Sequence, residues 1–409
     1  MSGSPYNTQG RAIVALSMSI LASSYNIAAI SPQLGIIRQL FRPGPVYMDL
    51  LATSVLIGAM VAAVVGGPMA DRFGRLRILL FDLLTFILGG VIGALSWNMW
   101  ALLASRVVVG LGVGLDYVVV FVYASEIFRR GSAPSRMMLI MFFANFGIII
   151  AYFSGFLFDM VGAGLSWRLE LASGVVVAAI PIWLRARLPE SYAWLQAEHR
   201  PVRDVVRRVM EMGRGLFKVY SIPWFLYQIG DQGLAVYMPY LLSSDLHVTF
   251  TDGAGYSVIV KAFTIPASFA AIVLVRRLGM LRLQFIGFIA RGASLLMLSI
   301  FILASLHMDL AFVILLALAF FFGAMGPDKT TVIRPTGWSD TQTRGAFQGI
   351  SEASGRLGGI LGVLAFAVAP DVLPGSGFLL ISFTCLAGGV VTVLIGRAKA
   401  SSLASVDPR

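Results

Sequence analysis

The sequence predicts an all-α polytopic membrane protein, twelve transmembrane helices in two pseudo-symmetric six-helix halves. Three observations carry this. Of 409 residues, 58% are hydrophobic and 12% charged, with a mean hydropathy of +0.84; soluble chains hold about 25% charged residues. The apolar residues collect into twelve long runs, and a span needs roughly 20. A short basic loop also recurs 204 residues later, half the chain. Composition thus excludes a soluble enzyme, a disordered chain and a secreted disulfide scaffold; Cys385 is the single cysteine. The histidines, His199, His247 and His307, are too scattered for a metal site. No metal and no cofactor is expected.

The runs lie near 12–31, 48–70, 78–96, 99–122, 137–158, 167–187, 219–242, 256–275, 283–305, 310–332, 345–369 and 376–396. Charges, Gly and Pro bound them. They lack the alternation of barrel strands, and in lipid a lone segment must pair its own backbone groups, so they read as helices. The first run follows Arg11, is longer than a signal-peptide core and has no A-x-A site after it. It reads as a retained helix.

The loops fix the orientation. Of 31 Lys and Arg, 23 fall on one side, in 71–77, 126–136, 185–218, 276–282, 334–344 and the two termini. The other side holds Arg38, Arg42 and Arg168. Excess cations mark the cytoplasmic side, so both termini are expected in the cytoplasm and the chain in the plasma membrane. The net charge of +11 is then topological, and no nucleic-acid partner is expected. The longest connection, 188–218, sits near the midpoint. There Val202, Val205, Val206, Val209 and Met210 fall at helical spacing, as in amphipathic helices on the inner membrane surface. The expected units are 1–187, the linker 188–218, and 219–409. A monomer is expected in the bilayer.

Asp71-Arg72-Phe73-Gly74-Arg75-Leu76-Arg77 is echoed by Arg276-Arg277-Leu278-Gly279-Met280-Leu281-Arg282. Two six-helix halves joined by a long inner loop are the parallel-repeat plan of one large transporter class. Gly67-Pro68-Met69-Ala70-Asp71-Arg72-Phe73-Gly74-Arg75 closely resembles the loop signature of the major facilitator superfamily. Ser105-Arg106-Val107-Val108-Val109-Gly110-Leu111-Gly112-Val113-Gly114 resembles its fourth-helix motif. Leu188-Pro189-Glu190-Ser191 is similar to the sugar-porter branch. Gly114-Leu115-Asp116-Tyr117, Gly326-Pro327-Asp328-Lys329-Thr330-Thr331 and the run Gly349-Ile350-Ser351-Glu352-Ala353-Ser354-Gly355-Arg356 resemble the phosphate:proton symporter branch.

A gate is expected on the inner side. Asp71, Arg72, Arg75, Glu126, Arg130 and Glu190 lie at helix ends there, and the resemblance implies that they pair when the gate shuts. The other reading is a set of topology charges whose exposed pairs contribute about 0–1 kcal/mol. Gly110 and Gly114, and Gly355, Gly359, Gly358 and Gly362, form small-residue motifs that let helices approach closely.

Five cations remain inside the spans: Arg106, Lys261, Arg291, Lys329 and Arg356. Asp116, Asp231, Asp328 and Glu352 also lie at membrane depth. A charge at a helix centre costs about 2.5–3.5 kcal/mol on insertion scales, so these are functional candidates by default. Trp224, Gln228 and Asp231 make one narrow helical stripe, with Gln232 beside it. The expected substrate ligands are Asp116, Tyr117, Asn145, Trp224, Gln228, Asp231, Gln232, Asp328 and Arg356. Arg356 and Glu352, four apart, can also neutralise each other. The resemblance places Arg356 where phosphate symporters carry a substrate-facing lysine, with Asp328 in place of their asparagine and Gln228 in place of their aspartate. A cavity-facing arginine favours carboxylate or phosphate oxygens.

The resemblance places Asn26 where proton-driven porters carry an aspartate and proton-independent facilitators an asparagine, while Asp116 stands as in the phosphate branch; Asp116 is the expected proton carrier, with Arg106 in the same helix about 15 Å away, pairing elsewhere or through water. The expected function is alternating-access symport of a small polar, anionic solute, phosphate or an organic acid, with protons. One alternative is a proton-independent facilitator of a sugar or other neutral solute. Another is a membrane solute sensor that does not transport. No P-loop, HExxH or nucleophile–base pair points to an enzyme.

Overall fold

The computed structural model describes residues 5–128, 131–197, 201–211, 214–304, 309–337, 340–372 and 375–404. Twelve long helices appear, numbered here α1–α12. They are α1 (Pro5–Ala28), α2 (Pro45–Phe73), α3 (Arg75–Ala94), α4 (Met99–Ile127), α5 (Ala133–Asp159) and α6 (Ala163–Arg185). The second set is α7 (Arg214–Asp245), α8 (Phe250–Ala262 and Thr264–Leu278), α9 (Met280–Leu303), α10 (Asp309–Met325 and Pro327–Ile333), α11 (Arg344–Val372) and α12 (Ser376–Ala404). No strand occurs among the described residues. Among the described residues, eleven helical segments are long and apolar enough to cross a membrane. The remaining long helix, α7, carries Gln228, Asp231 and Gln232 within its length.

The helices overrun most apolar runs by a few residues, because polar end residues continue the helix beyond the hydrocarbon. Two breaks went unread in the sequence. Pro266 follows the break in α8 at Phe263; a proline has no amide hydrogen and crowds the carbonyl four residues back. Gly326-Pro327 breaks α10, and Pro327 restarts it from the first helical turn.

Gly74 (φ 106°) turns the chain between α2 and α3, and Gly279 (φ 76°) does so between α8 and α9. Both conformations suit glycine alone. The two halves therefore share one turn at one relative position.

Small residues set the helix contacts. A Cβ at Gly110 would overlap the Val55 carbonyl, and one at Gly114 the Ala59 carbonyl, so α4 lies directly on α2. Gly358 and Gly362 press α11 on α7 in the same way, against the carbonyls of Phe225 and Ile229. Gly67 and Gly345 do this between the halves, at the face that carries both termini.

Between α6 and α7 lie a short helix, Tyr192–Leu195, and the helix Val202–Glu211. In the latter Val205 is buried while Met210 is 75% exposed, so one edge of the expected apolar stripe packs on protein.

Candidate functional site

The site is a small central cavity between the halves. It is lined from α1 (Ser24), α4 (Tyr117), α5 (Asn145, Tyr152), α7 (Trp224, Gln228, Asp231, Gln232), α8 (Lys261), α10 (Asp328) and α11 (Arg356). Its volume of about 50 Å³ would hold roughly four waters at about 10–15 Å³ each.

Eight of the nine expected ligands line it. The stripe on α7 faces it along its whole length. Trp224 is 2% exposed, so it is no membrane-interface residue; its Nε1 donates to Glu352 Oε2 (3.3 Å) and its ring stacks on Tyr227. Asp231 accepts from Arg291 Nη1 (3.1 Å) and Tyr227 Oη (3.0 Å). Asp328 pairs with its neighbour Lys329 at 3.2 Å, and that ammonium also donates to the Ala324 carbonyl (2.7 Å) left free by the break in α10. Asn145 donates to Ser268 (3.2 Å), bridging the halves. Tyr117 shares a hydrogen bond with Ser24 (2.9 Å).

Two cations keep unspent capacity. Arg356 sits 3.7 Å from Glu352 and lies over the Tyr117 ring, but its Nε and Nη2 have no hydrogen-bond partner among the described residues. Lys261 is 2% exposed and lies 3.9 Å from the centre of the Phe320 ring. Among the described residues it has no carboxylate within 4.0 Å. Sequence reading put Lys261 in the membrane but not in the site. The break at Phe263 lies two residues after it, and apolar periodicity carries no signal of that.

Asp116 is corrected: it does not line the cavity. It is fully buried inside the N-terminal half, where Ser19 donates to it (2.7 Å), Ser23 makes a short hydrogen bond to it and Arg185 pairs with it. Arg185 also pairs with Asp82 at 2.7 Å. Arg185, assigned from sequence to the inner loop, is wholly buried. Helical side chains point back toward the N-terminus, which carries this guanidinium from the end of α6 into the protein. Arg106 is likewise removed from Asp116. Its Nη2 donates to the Asn26 carbonyl (2.6 Å), a distance already implied by ten residues of helix. Asp82, Arg185 and Glu170, all buried, escaped the sequence reading.

At the terminus face the expected gate residues come together. Asp71 and Glu126 pair with Arg75 at 3.1 and 3.0 Å, and Arg344 reaches Glu126 at 3.3 Å. Asp71 also accepts from the Gly345 and Ala346 amides (3.0 and 2.9 Å), capping the start of α11 from the opposite half. Its charge meets the positive end of that helix dipole. Glu190 binds backbone amides at the start of α3, including Leu76 N at 3.1 Å, rather than a gate side chain. Arg72 is corrected: it is exposed, lies over Phe73 and stays outside the network. Arg130 lies outside the described residues. At the other face Thr251 of α8 donates to Asp159 of α5 (3.4 Å), and deeper in Tyr152 donates to the Ala235 carbonyl (2.5 Å). Both ends are bridged, so the cavity is closed in this state.

The sugar (and other) transporter family model matches residues 12–219 and 202–408. The chain belongs to this family of the major facilitator superfamily. It is a multi-pass membrane transporter, not an enzyme. It is 25% identical to a probable inorganic phosphate transporter 1-10 of Oryza sativa subsp. japonica, over 93% of this chain and 86% of the relative. It is 28% identical to the glucose transporter GlcP of Staphylococcus epidermidis, over 79% of each. The fold matches that of the proton:xylose symporter XylE bound to 6-bromo-6-deoxy-D-glucose, with a TM-score of 0.81, 16% identity and coverage of 94% and 95%. An inward-open conformation of the same transporter, from E. coli, matches with a TM-score of 0.74, at 17% identity and coverage of 94% of each chain.

Proposed function

We propose that this transporter is a proton-coupled symporter of a small polar anion, phosphate or an organic acid. One observation supports it above the others: the buried ammonium of Lys261 borders the cavity with no carboxylate within 4.0 Å among the described residues, and unspent Arg356 donors line the same space. A neutral sugar leaves an uncompensated cation in a dry site; an anion compensates it. Relatives named for phosphate transport, and a fold neighbour named as a proton symporter, agree with this reading.

In the proposed cycle the anion binds between Lys261 and Arg356. Trp224, Gln228, Gln232 and Asn145 supply hydrogen bonds and shape. Asp116, held with Asp82 on Arg185, takes the proton. Breaking the network of Asp71, Arg75, Glu126 and Arg344 opens the terminus face, read here as the cytoplasmic face of a plasma-membrane protein because the cations collect there. The halves 1–187 and 219–409 rock about the site, with 188–218 as their tether, and one chain suffices.

Ligand-induced thermal shift tests the site. Phosphate, carboxylates and sugars are compared on the purified protein and on Lys261→Gln. Ligand at a hundred times its Kd stabilises by about 2.7 kcal/mol. An anion is expected to raise the Tm of the parent and not of the variant. A shift with neutral sugar alone, kept by Lys261→Gln, favours the facilitator reading instead.

A further inference from the structure

A second hollow lies away from the central cavity, between α9 and α12 beside the end of α8, with a volume of about 340 Å³. Leu278, Leu281, Phe285 and Val393 wall it, Gly396 leaves it open, and Arg282 lines it as well. Phe285 and Val393 are exposed, so the groove opens toward the bilayer. It sits at the terminus face, where α9 begins at Met280 and the apolar span of α12 ends at Arg397. That is the depth at which hydrocarbon gives way to headgroups.

The charge around this groove has one sign. Arg277 precedes Leu278, and Arg397 follows Gly396. Arg277, Arg282 and Arg397 are exposed, and none has an ion-pair partner within 4.0 Å among the described residues. The groove's own helices supply no counter-ion: no Asp or Glu occurs between Asp252 and Asp309, nor between Asp371 and Asp407. The other half shows the same turn with its charge answered. There Glu190 accepts from the Arg75 and Leu76 amides (3.2 and 3.1 Å), and Asp71 pairs with Arg75 at 3.1 Å. A Cβ at Gly74 would meet the Glu190 carboxylate and the Trp194 ring, whereas one at Gly279 would meet nothing within 4 Å among the described residues. An acid and an aromatic cover the turn in one half, and the matching turn is bare in the other.

We propose that the groove binds one anionic phospholipid from the leaflet at the terminus face. An acyl chain lies along the apolar wall between α9 and α12. Arg277, Arg282 and Arg397 hold the headgroup phosphate, which supplies the negative charge that Glu190 and Asp71 supply in the N-terminal half. Guanidinium groups bind phosphate oxygens through charge-assisted hydrogen bonds, and basic pockets between spans select anionic headgroups. A zwitterionic headgroup carries its own cation and brings no net charge to these arginines. The proposal is independent of what the central cavity carries.

Native mass spectrometry of the full chain, delipidated in detergent, counts both bound lipids and copies of the chain. Phosphatidylglycerol and phosphatidylcholine with identical acyl chains are compared, with soluble glycerol 3-phosphate as the headgroup alone. One phosphatidylglycerol is expected to be retained in preference to phosphatidylcholine. Arg277→Gln, Arg282→Gln and Arg397→Gln should each lower its affinity about fivefold. Gly396→Leu keeps every arginine, and a Cβ there meets only Leu281 Cδ1 at 4.0 Å; by filling the groove it should weaken retention too. Arg72→Gln, which removes an exposed arginine of the N-terminal half, should leave the preference intact. Equal retention of the two lipids, or an equal loss on Arg72→Gln, reduces the effect to general surface charge and overturns the proposal. Glycerol 3-phosphate bound as tightly as the lipid overturns it in favour of a soluble phosphate. A dimer disrupted by Gly396→Leu, with no lipid preference, overturns it in favour of a second copy of the chain.

Discussion

Lys261 and Arg185 show how two buried cations in one molecule take different roles from their partners alone. Arg185 bridges Asp82 and Asp116, all three fully buried, and holds them in the N-terminal half. Lys261 lies over the face of Phe320 and borders the cavity, with no carboxylate within 4.0 Å among the described residues. A hydrogen bond to a charged group contributes about 1.5–3 kcal/mol, so Lys261→Gln should weaken anion affinity roughly ten- to hundredfold, read by the concentration dependence of uptake. Unchanged affinity would remove the residue from the site. Asp82→Asn and Asp116→Asn should each lose acid-driven accumulation; either variant keeping it in full contradicts the proton site. The α7 ligands were legible because polar residues gathered on one face of a helix in an apolar sequence must face protein or water, not lipid. Arg185 was not, since a cation at the end of a span reads as a topology signal until a partner from another helix is seen. Glu170 and Asp82 were hidden too, because their meaning lies in tertiary contacts with other helices.

At the scale of helices, the glycines decide where elements touch. The Gly110–Gly114 and Gly358–Gly362 motifs bring backbone to backbone within a half, whereas Gly67 and Gly349 of α2 and α11 do so across the halves. Gly362→Val should therefore lower thermal stability, since the added carbons overlap the Ile229 carbonyl and overpacking costs about 1–3 kcal/mol. Substitution at the inter-half contact acts differently: Gly349→Val should prevent closure of the terminus face and slow transport while membrane insertion is retained. Asp71→Asn should do the same by weakening the cap on α11, by roughly tenfold in transport rate if one charge-assisted bond is lost. A normal rate in that variant would reduce the network to topology charge. The helices themselves were legible from hydropathy, to within a few residues at most ends. The breaks in α8 and α10 were not, because hydropathy is continuous through Phe263 and Gly326, and the local cause is one proline in each case.

The whole molecule sets a cavity holding Lys261 and Arg356 beside a separate buried cluster of Asp82, Asp116 and Arg185 in the N-terminal half. The repeat was visible in the basic loops and recurs in the positive-φ turns at Gly74 and Gly279. Arrangement of the charge between halves could not be read from sequence, because it depends on which buried groups find partners. The central claim, that a proton and an anion are carried together in one cycle, is tested most directly by uptake of labelled phosphate into proteoliposomes under an inward acid gradient. Accumulation above the external concentration that collapses when a protonophore dissipates the gradient is the predicted result. Binding of phosphate with no flux, or flux that only equilibrates and is indifferent to the protonophore, contradicts it.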